Sequence, residues 1–228
     1  MGIAEVMPGI SGSTAAVLTG VYEDLIHSVN SINNRSLRLL AQKKFREFWR
    51  IINGNFLLTV IAGISTSFLL GARLITYALK HHPVPIGSFF FSFMVMATPL
   101  VMREEIKKWD TGAITCFAVA LLIAYAITFL PPIQAPRALW ALFGVAALAG
   151  ALALIPGISF IFILILLGQF GYVTSAFADF NTLVILIFVA GYVLGLVGFS
   201  RILHHFLRKF RRPTLALLTG IMLGSLNK

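Results

Sequence analysis

Charge is scarce in this chain: Asp, Glu, Lys and Arg make up 11% of its 228 residues, less than half of the about 25% usual in a soluble domain. Without that polar surface, a sequence that is 58% hydrophobic has no interior large enough to hide its apolar residues from water. Its mean hydropathy of +0.91 places it in a bilayer. Cysteine is nearly absent too. Cys116 is the only one, which excludes an intrachain disulfide and a thiolate metal site. Acids number 8 against 18 bases, giving a formal charge of +10. The bases lie in short loops between apolar runs, where they face lipid headgroups and fix topology, so no nucleic acid is expected as partner. No nucleotide-binding loop, zinc-protease helix or nucleophile elbow is present. His27, His81, His82, His204 and His205 show no metal-ligand spacing with acids, so no enzyme, metal or cofactor is expected. Met1 to Ser11 holds no positive charge and no cleavage-type pattern, so no signal peptide is expected.

What is present is a series of long charge-free windows. A spanning helix needs about 20 apolar residues, and Phe56 to Leu79, Pro85 to Met102, Gly112 to Leu130 and Thr182 to Phe206 read as full crossings. Ala138 to Ala178 holds 41 uncharged residues, which at about 1.5 Å each would make a helix twice as long as the hydrocarbon core is thick. It must fold back, and Pro156-Gly157 stands near its centre. A hairpin entering and leaving from one side, with Pro-Gly-Ile-Ser at a buried tip, is expected there, because irregular backbone at depth survives only where it lines a cavity or packs in protein. Three basic clusters, Arg35 to Arg50, Arg103 to Lys108 and Arg208 to Arg212, assign their loops to the cytoplasm.

The chain also repeats itself. Pro8-Gly9-Ile10-Ser11 recurs as Pro156-Gly157-Ile158-Ser159, and Gly20 with Tyr22 is matched by Gly168 with Phe170. Ala62-Gly63 and Arg73 recur as Ala190-Gly191 and Arg201. The ordered set predicts an all-α, polytopic membrane protein: one domain over 1–228, with repeat 1 at about 1–110, repeat 2 at about 137–228 and a linking crossing at 112–130. The side assignment makes the repeats inverted, with two re-entrant hairpins broken at Pro-Gly-Ile-Ser. The leading arm of the second hairpin has no counterpart before Met1, and the crossing at 112–130 has none after Asn227, so more chain is expected at both ends.

The run Gly2-Ile3-Ala4-Glu5-Val6-Met7-Pro8-Gly9-Ile10-Ser11-Gly12-Ser13-Thr14, followed by Gly20-Val21-Tyr22-Glu23, resembles the signature of the bacterial polyprenyl-phosphate transporter family. The second Pro-Gly-Ile-Ser and the terminal Gly220-Ile221-Met222-Leu223-Gly224-Ser225-Leu226 are similar to later landmarks of that family. Two positions depart: Glu5 stands where Asp is usual and Ser13 where Gly is usual. The resemblance implies a multi-pass protein of the bacterial cytoplasmic (inner) membrane. It implies a flippase returning undecaprenyl phosphate from the outer to the inner leaflet for peptidoglycan and other envelope glycans.

Chemistry-bearing residues are few. Each Pro-Gly break precedes a helix whose unpaired N–H groups favour an anion, and Ser11, Gly12, Ser13, Thr14, Gly157 and Ser159 are candidates to bind it; the competing reading makes the hydroxyls helix caps. Arg73 and Arg201 are candidates for the phosphate head, since a guanidinium fork suits bidentate contact, or else snorkel to an interface. Glu5 is the candidate for proton coupling, or an interfacial residue with no such role. A small-anion transporter or channel is the alternative function, because the residues alone do not separate a lipid phosphate from phosphate or sulfate. Oligomeric state is not readable.

Overall fold

A computed structural model describes the chain except residues 3, 5–10, 83, 87, 90, 94, 97, 99–109, 132 and 226–228, and gives the backbone alone for 68, 69, 71–73, 75, 76 and 79. Among the described residues there is no strand and eleven helices have defined bounds: α1 (Gly12–Leu18), α2 (Tyr22–Asn30), α3 (Asn34–Ala41), α4 (Phe45–Ile51), α5 (Gly54–His81), α6 (Thr111–Ile127), α7 (Leu139–Leu152), α8 (Phe160–Leu166), α9 (Phe170–Ala178), α10 (Thr182–Lys209) and α11 (Arg211–Gly224); described residues between 84 and 98 are helical as well. The all-helical class follows from composition, since in lipid a helix satisfies its own backbone groups.

Elements recur in matched lengths. α1 and α2 have 7 and 9 residues, as do α8 and α9. Ser11 caps α1 by accepting from the Thr14 amide, and Ser159 caps α8 by accepting from the Ile161 amide. Each short helix then ends in the same way. Gly20 and Gly168 take positive φ, +73° and +66°, a left-handed conformation that glycine adopts without a Cβ penalty. Around them Gly20 N–H reaches Val17 O and Val21 N–H reaches Ala16 O, while Gly168 N–H reaches Ile165 O and Gln169 N–H reaches Leu164 O. This double bonding is the Schellman ending, which satisfies the last carbonyls and turns the chain sharply. α8 and α9 are therefore bent by 112°.

α5 and α10 both run for 28 residues. α10 is, among the described residues, the one helix long and apolar enough to cross a membrane unaided, and α4–α5 and α8–α9 would bring the number to three if each bent pair counts as one span. At about 1.5 Å per residue α10 is roughly 42 Å long. α6 is apolar but has 17 residues; of the expected crossing at 85–102, residues 87, 90, 94, 97 and 99–102 lie outside the described residues and the others are helical.

α10 organises the packing. Near its C-terminal end, Leu203 and Leu207 join one core with Tyr22, Leu25, Ile26 and Val29 of α2. Near its N-terminal end, Val184 and Phe188 join a second core with Val173 and Ala176 of α9 and Leu142, Val145 and Ala146 of α7. α7 lies backbone to backbone on α10: a side chain at Gly191 would run into the Phe143 carbonyl, and one at Gly195 into that of Ala147. Such small residues let apolar helices gain dispersion contact that lipid does not supply. Gly198, three residues further along α10, meets nothing within 4 Å.

Candidate functional site

The helical path is interrupted between Leu152 and Phe160, around Pro156 and Gly157, and Gly157 takes a φ of +89°. This non-helical arc meets the start of α1. Gly157 N–H donates to Thr14 Oγ1 at 2.8 Å and to Ser11 Oγ at 3.1 Å. Ser13 donates in the opposite direction, from its hydroxyl to the Ile155 carbonyl at 3.0 Å. Ser11 Oγ lies 2.9 Å from both Ser13 Oγ and Thr14 Oγ1, and Thr14 N–H donates to Ser11 Oγ at 3.3 Å. A fourth tie comes from α2, where the Tyr22 hydroxyl donates to the Leu154 carbonyl at 2.7 Å. Four side chains more than 130 residues away along the chain thus hold three residues of the irregular segment, Leu154, Ile155 and Gly157.

The crossing is buried. Ser11 and Thr14 are fully buried, Ser13 nearly so, and Pro156 closes one side. Polar groups removed from water need partners, and here each end of the network supplies what the other lacks: hydroxyls for an amide and for two carbonyls. From the far side the C-terminal end of α11 presses in, since a side chain on Gly157 would collide with Ser225 Oγ and the Met222 backbone. Ser225 is itself buried and donates to the Met222 carbonyl at 3.0 Å.

Of the candidates read from sequence, Ser11, Ser13, Thr14 and Gly157 come together here. Gly12 is the buried first residue of α1. Ser159 sits at the head of α8, where its hydroxyl accepts from the Ile161 amide at 3.3 Å. Arg201 is not at the crossing: its guanidinium is exposed and donates to the Ile32 carbonyl at 3.4 Å, just beyond the end of α2. A cation suits the carbonyl end of a helix. Arg73 lies within α5, and its side chain is outside the described residues, as are Glu5 and the first Pro8-Gly9-Ile10. Tyr22 and Ser225 were passed over as site residues. The signal for Tyr22 was present, because its repeat partner is Phe170, and a hydroxyl found in only one of two equivalent positions asks for a partner.

Among the described residues the arrangement offers no nucleophile beside a base and no gathering of acids; what it offers is a set of hydrogen-bond donors, two backbone amides and three hydroxyls, converging where the start of α1 meets the interrupted segment between α7 and α8. Such a set suits an anion with several oxygens.

Comparison with known proteins agrees with this character. Residues 1–228 match the family described as undecaprenyl phosphate translocase-like. The chain is 38% identical over 228 residues to a protein of Vibrio cholerae serotype O1 named polyprenyl-phosphate transporter, covering 100% of this chain and 74% of that one. It is 27% identical over 245 residues to a Staphylococcus aureus protein of the same name, covering 99% of this chain and 81% of the other. No solved structure matches. On the full-length family match and the Vibrio relative, this chain belongs to the undecaprenyl phosphate translocase-like family.

Proposed function

We propose that this protein is a membrane transporter, not an enzyme, that moves a polyprenyl phosphate across the bacterial cytoplasmic membrane by alternating access, returning undecaprenyl phosphate to the inner leaflet for envelope glycan synthesis. The observation that carries the reading is the hydrogen-bonded crossing of the start of α1 with the interrupted segment around Gly157. A bare phosphate in hydrocarbon faces a desolvation penalty of several kcal/mol or more per charge unless well-placed partners offset it. The polyprenyl tail has no such need and stays in lipid. Only the head requires a path, and the amides of Thr14 and Gly157 with the hydroxyls of Ser11, Ser13 and Thr14 are five donors able to turn from one another to phosphate oxygens.

The placement of α2 and α9 supports an inverted arrangement of repeat 1 (about 1–110) and repeat 2 (about 137–228) about the 112–130 crossing. They pack at opposite ends of α10, the helix of membrane length, so the hairpins carrying them would open to opposite sides. Rocking of one repeat on the other then exposes the same central donors to either leaflet. Glu5, just before the first Pro-Gly, is assigned the exchange of a proton in each cycle, and Arg73 and Arg201 the attraction of the head toward the crossing.

The test is a proteoliposome assay with undecaprenyl phosphate loaded in one leaflet, scored by appearance of its head on the other side, with and without a pH gradient. Transport of the lipid that is lost in a Ser11→Ala, Thr14→Val double variant is the expected result. Transport of soluble phosphate but not of the lipid would defeat the substrate assignment, and a rate indifferent to the gradient would remove Glu5 from a coupling role.

A further inference from the structure

An apolar groove of about 360 Å³ opens between α6, α10 and α11. Phe199, Phe206 and Phe210 line it along α10, Leu218 faces them from α11, and its inner end is Ile155, the residue whose carbonyl accepts the Ser13 hydroxyl. Its one hydroxyl, that of Thr214, is bonded to the Phe210 carbonyl at 2.8 Å, so the walls offer an occupant nothing polar. The volume sits near the low end of the about 300–1,000 Å³ of ligand pockets, enough for a stub of one chain. The outer end lies at the turn from α10 to α11, where Arg208, Lys209, Arg211 and Arg212 surround Phe210 in sequence. Lys209 Nζ stands 5.4 Å from the centre of the Phe210 ring, which brings a cation to the groove's mouth, while Arg211 is held by Glu23 at 2.9 Å.

Cations at one end, rings along the wall and the helix crossing at the other end match a single-chain anionic lipid. We propose that the groove docks the first isoprene units of a polyprenyl phosphate whose head rests on the Lys209–Arg212 turn before it enters the crossing, with the rest of the chain leaving through the groove's open side into lipid. This rests on the transport reading above. A phospholipid would have to splay its two chains to enter a space that takes one. The rings of Phe206 and Phe210, 6.3 Å apart between centroids, leave steps that receive methyl branches, which a straight acyl chain does not have.

Cys116 lines the groove and is the only cysteine in the chain, so the protein carries its own reporter. The experiment measures the rate at which a small membrane-permeant thiol reagent modifies Cys116 in zwitterionic liposomes, alone and with undecaprenyl phosphate, phosphatidic acid or inorganic phosphate. At ten times the dissociation constant, occupancy slows modification about tenfold, and this is expected for undecaprenyl phosphate only. Ile202→Trp and Leu217→Trp, on the groove's exposed rim, are expected to abolish the protection while circular dichroism and melting show a folded protein. Unchanged labelling in liposomes that still transport the lipid would overturn the groove and leave the transport reading standing. Equal protection by phosphatidic acid would overturn the isoprenoid assignment. Absence of both transport and protection would remove the functional reading and the groove together.

Discussion

Replacing Tyr22 by Phe deletes one oxygen from a side chain that is 4% exposed, and the structure fixes what that deletion does. The ring keeps its place in the core formed with Ala16, Leu25, Leu203 and Leu215, and Phe already occupies the equivalent position at Phe170. What is lost is the 2.7 Å bond to the Leu154 carbonyl. Leu154 is 3% exposed, so water does not replace the hydroxyl. An orphaned buried acceptor costs about 1–3 kcal/mol, more than the about 0.5–1.5 kcal/mol of a bond exchanged with solvent. The adjacent Ile155 carbonyl stays tied to Ser13, so one residue of the arc loosens while the next holds. Adding Ser13→Ala should therefore be non-additive, with a coupling of about 0.5–3 kcal/mol between the two sites. The assay is denaturant unfolding in detergent micelles, with hydrogen exchange of the Gly157 amide as the local reporter. Tyr22→Phe is expected to lower stability by the orphaned-acceptor amount and to speed Gly157 exchange. A midpoint unmoved beyond the about 0.5 kcal/mol typical of surface changes, together with an unaltered Gly157 amide, would refute the view that Tyr22 holds the arc.

Gly195→Ala places a methyl group against the Ala147 carbonyl and should cost about 1–3 kcal/mol by overpacking, whereas Gly198→Ala, with open space around it, should be near neutral; thermal melts of both variants separate the two positions. Cysteines introduced at Ser31 and Ser175 in a Cys116→Ser background are expected to be labelled by an impermeant reagent from opposite faces of oriented vesicles, and labelling of both from one face would sink the inverted arrangement. Arg73→Ala and Arg201→Ala should weaken binding of the lipid phosphate about tenfold or more, with Lys at either position losing less, as for hydrogen bonds to a charged group; unchanged affinity in both Ala variants would leave these residues as interfacial anchors. Glu5→Gln is expected to transport at a rate independent of a pH gradient, measured in the same liposomes as the parent.

The helical class and the family were legible because they are written in local terms: scarce charge, apolar windows, and a signature around Gly9 and Tyr22. The pairing of Ser13 with Ile155 and of Thr14 with Gly157 was not, because nothing in a local pattern says which of two distant irregular segments will meet. Gly20 and Gly168 were read as marks of a repeat, yet their conformational task is to end α1 and α8 and bend the chain, and periodicity carries no sign of φ. Ser11 illustrates the same limit. As a residue before a helix it reads as a cap or as a ligand, and the structure shows it capping Thr14 while also accepting from Gly157. Arg201 reads as a buried cation only while α10 is taken alone; once α2 is packed beside it, the nearest acceptor is the Ile32 carbonyl.

The engagement of Ser11, Ser13 and Thr14 with the backbone of the opposite segment bears on leakage. A protein embedded in a membrane that stores an ion gradient must not short-circuit it while idle. At this crossing the amide of Gly157 and the three hydroxyls already have protein partners and the hydroxyls are shielded from solvent, so none of these groups stands ready to pass a proton or a hydrated ion. An ion arriving there would break several bonds at about 1–3 kcal/mol each for the groups it strands and re-form few of them. A tetrahedral phosphate brings enough oxygens to replace the partners it displaces. On the proposed transport reading, the same set of contacts would insulate the empty protein and reserve its opening for a ligand with that geometry.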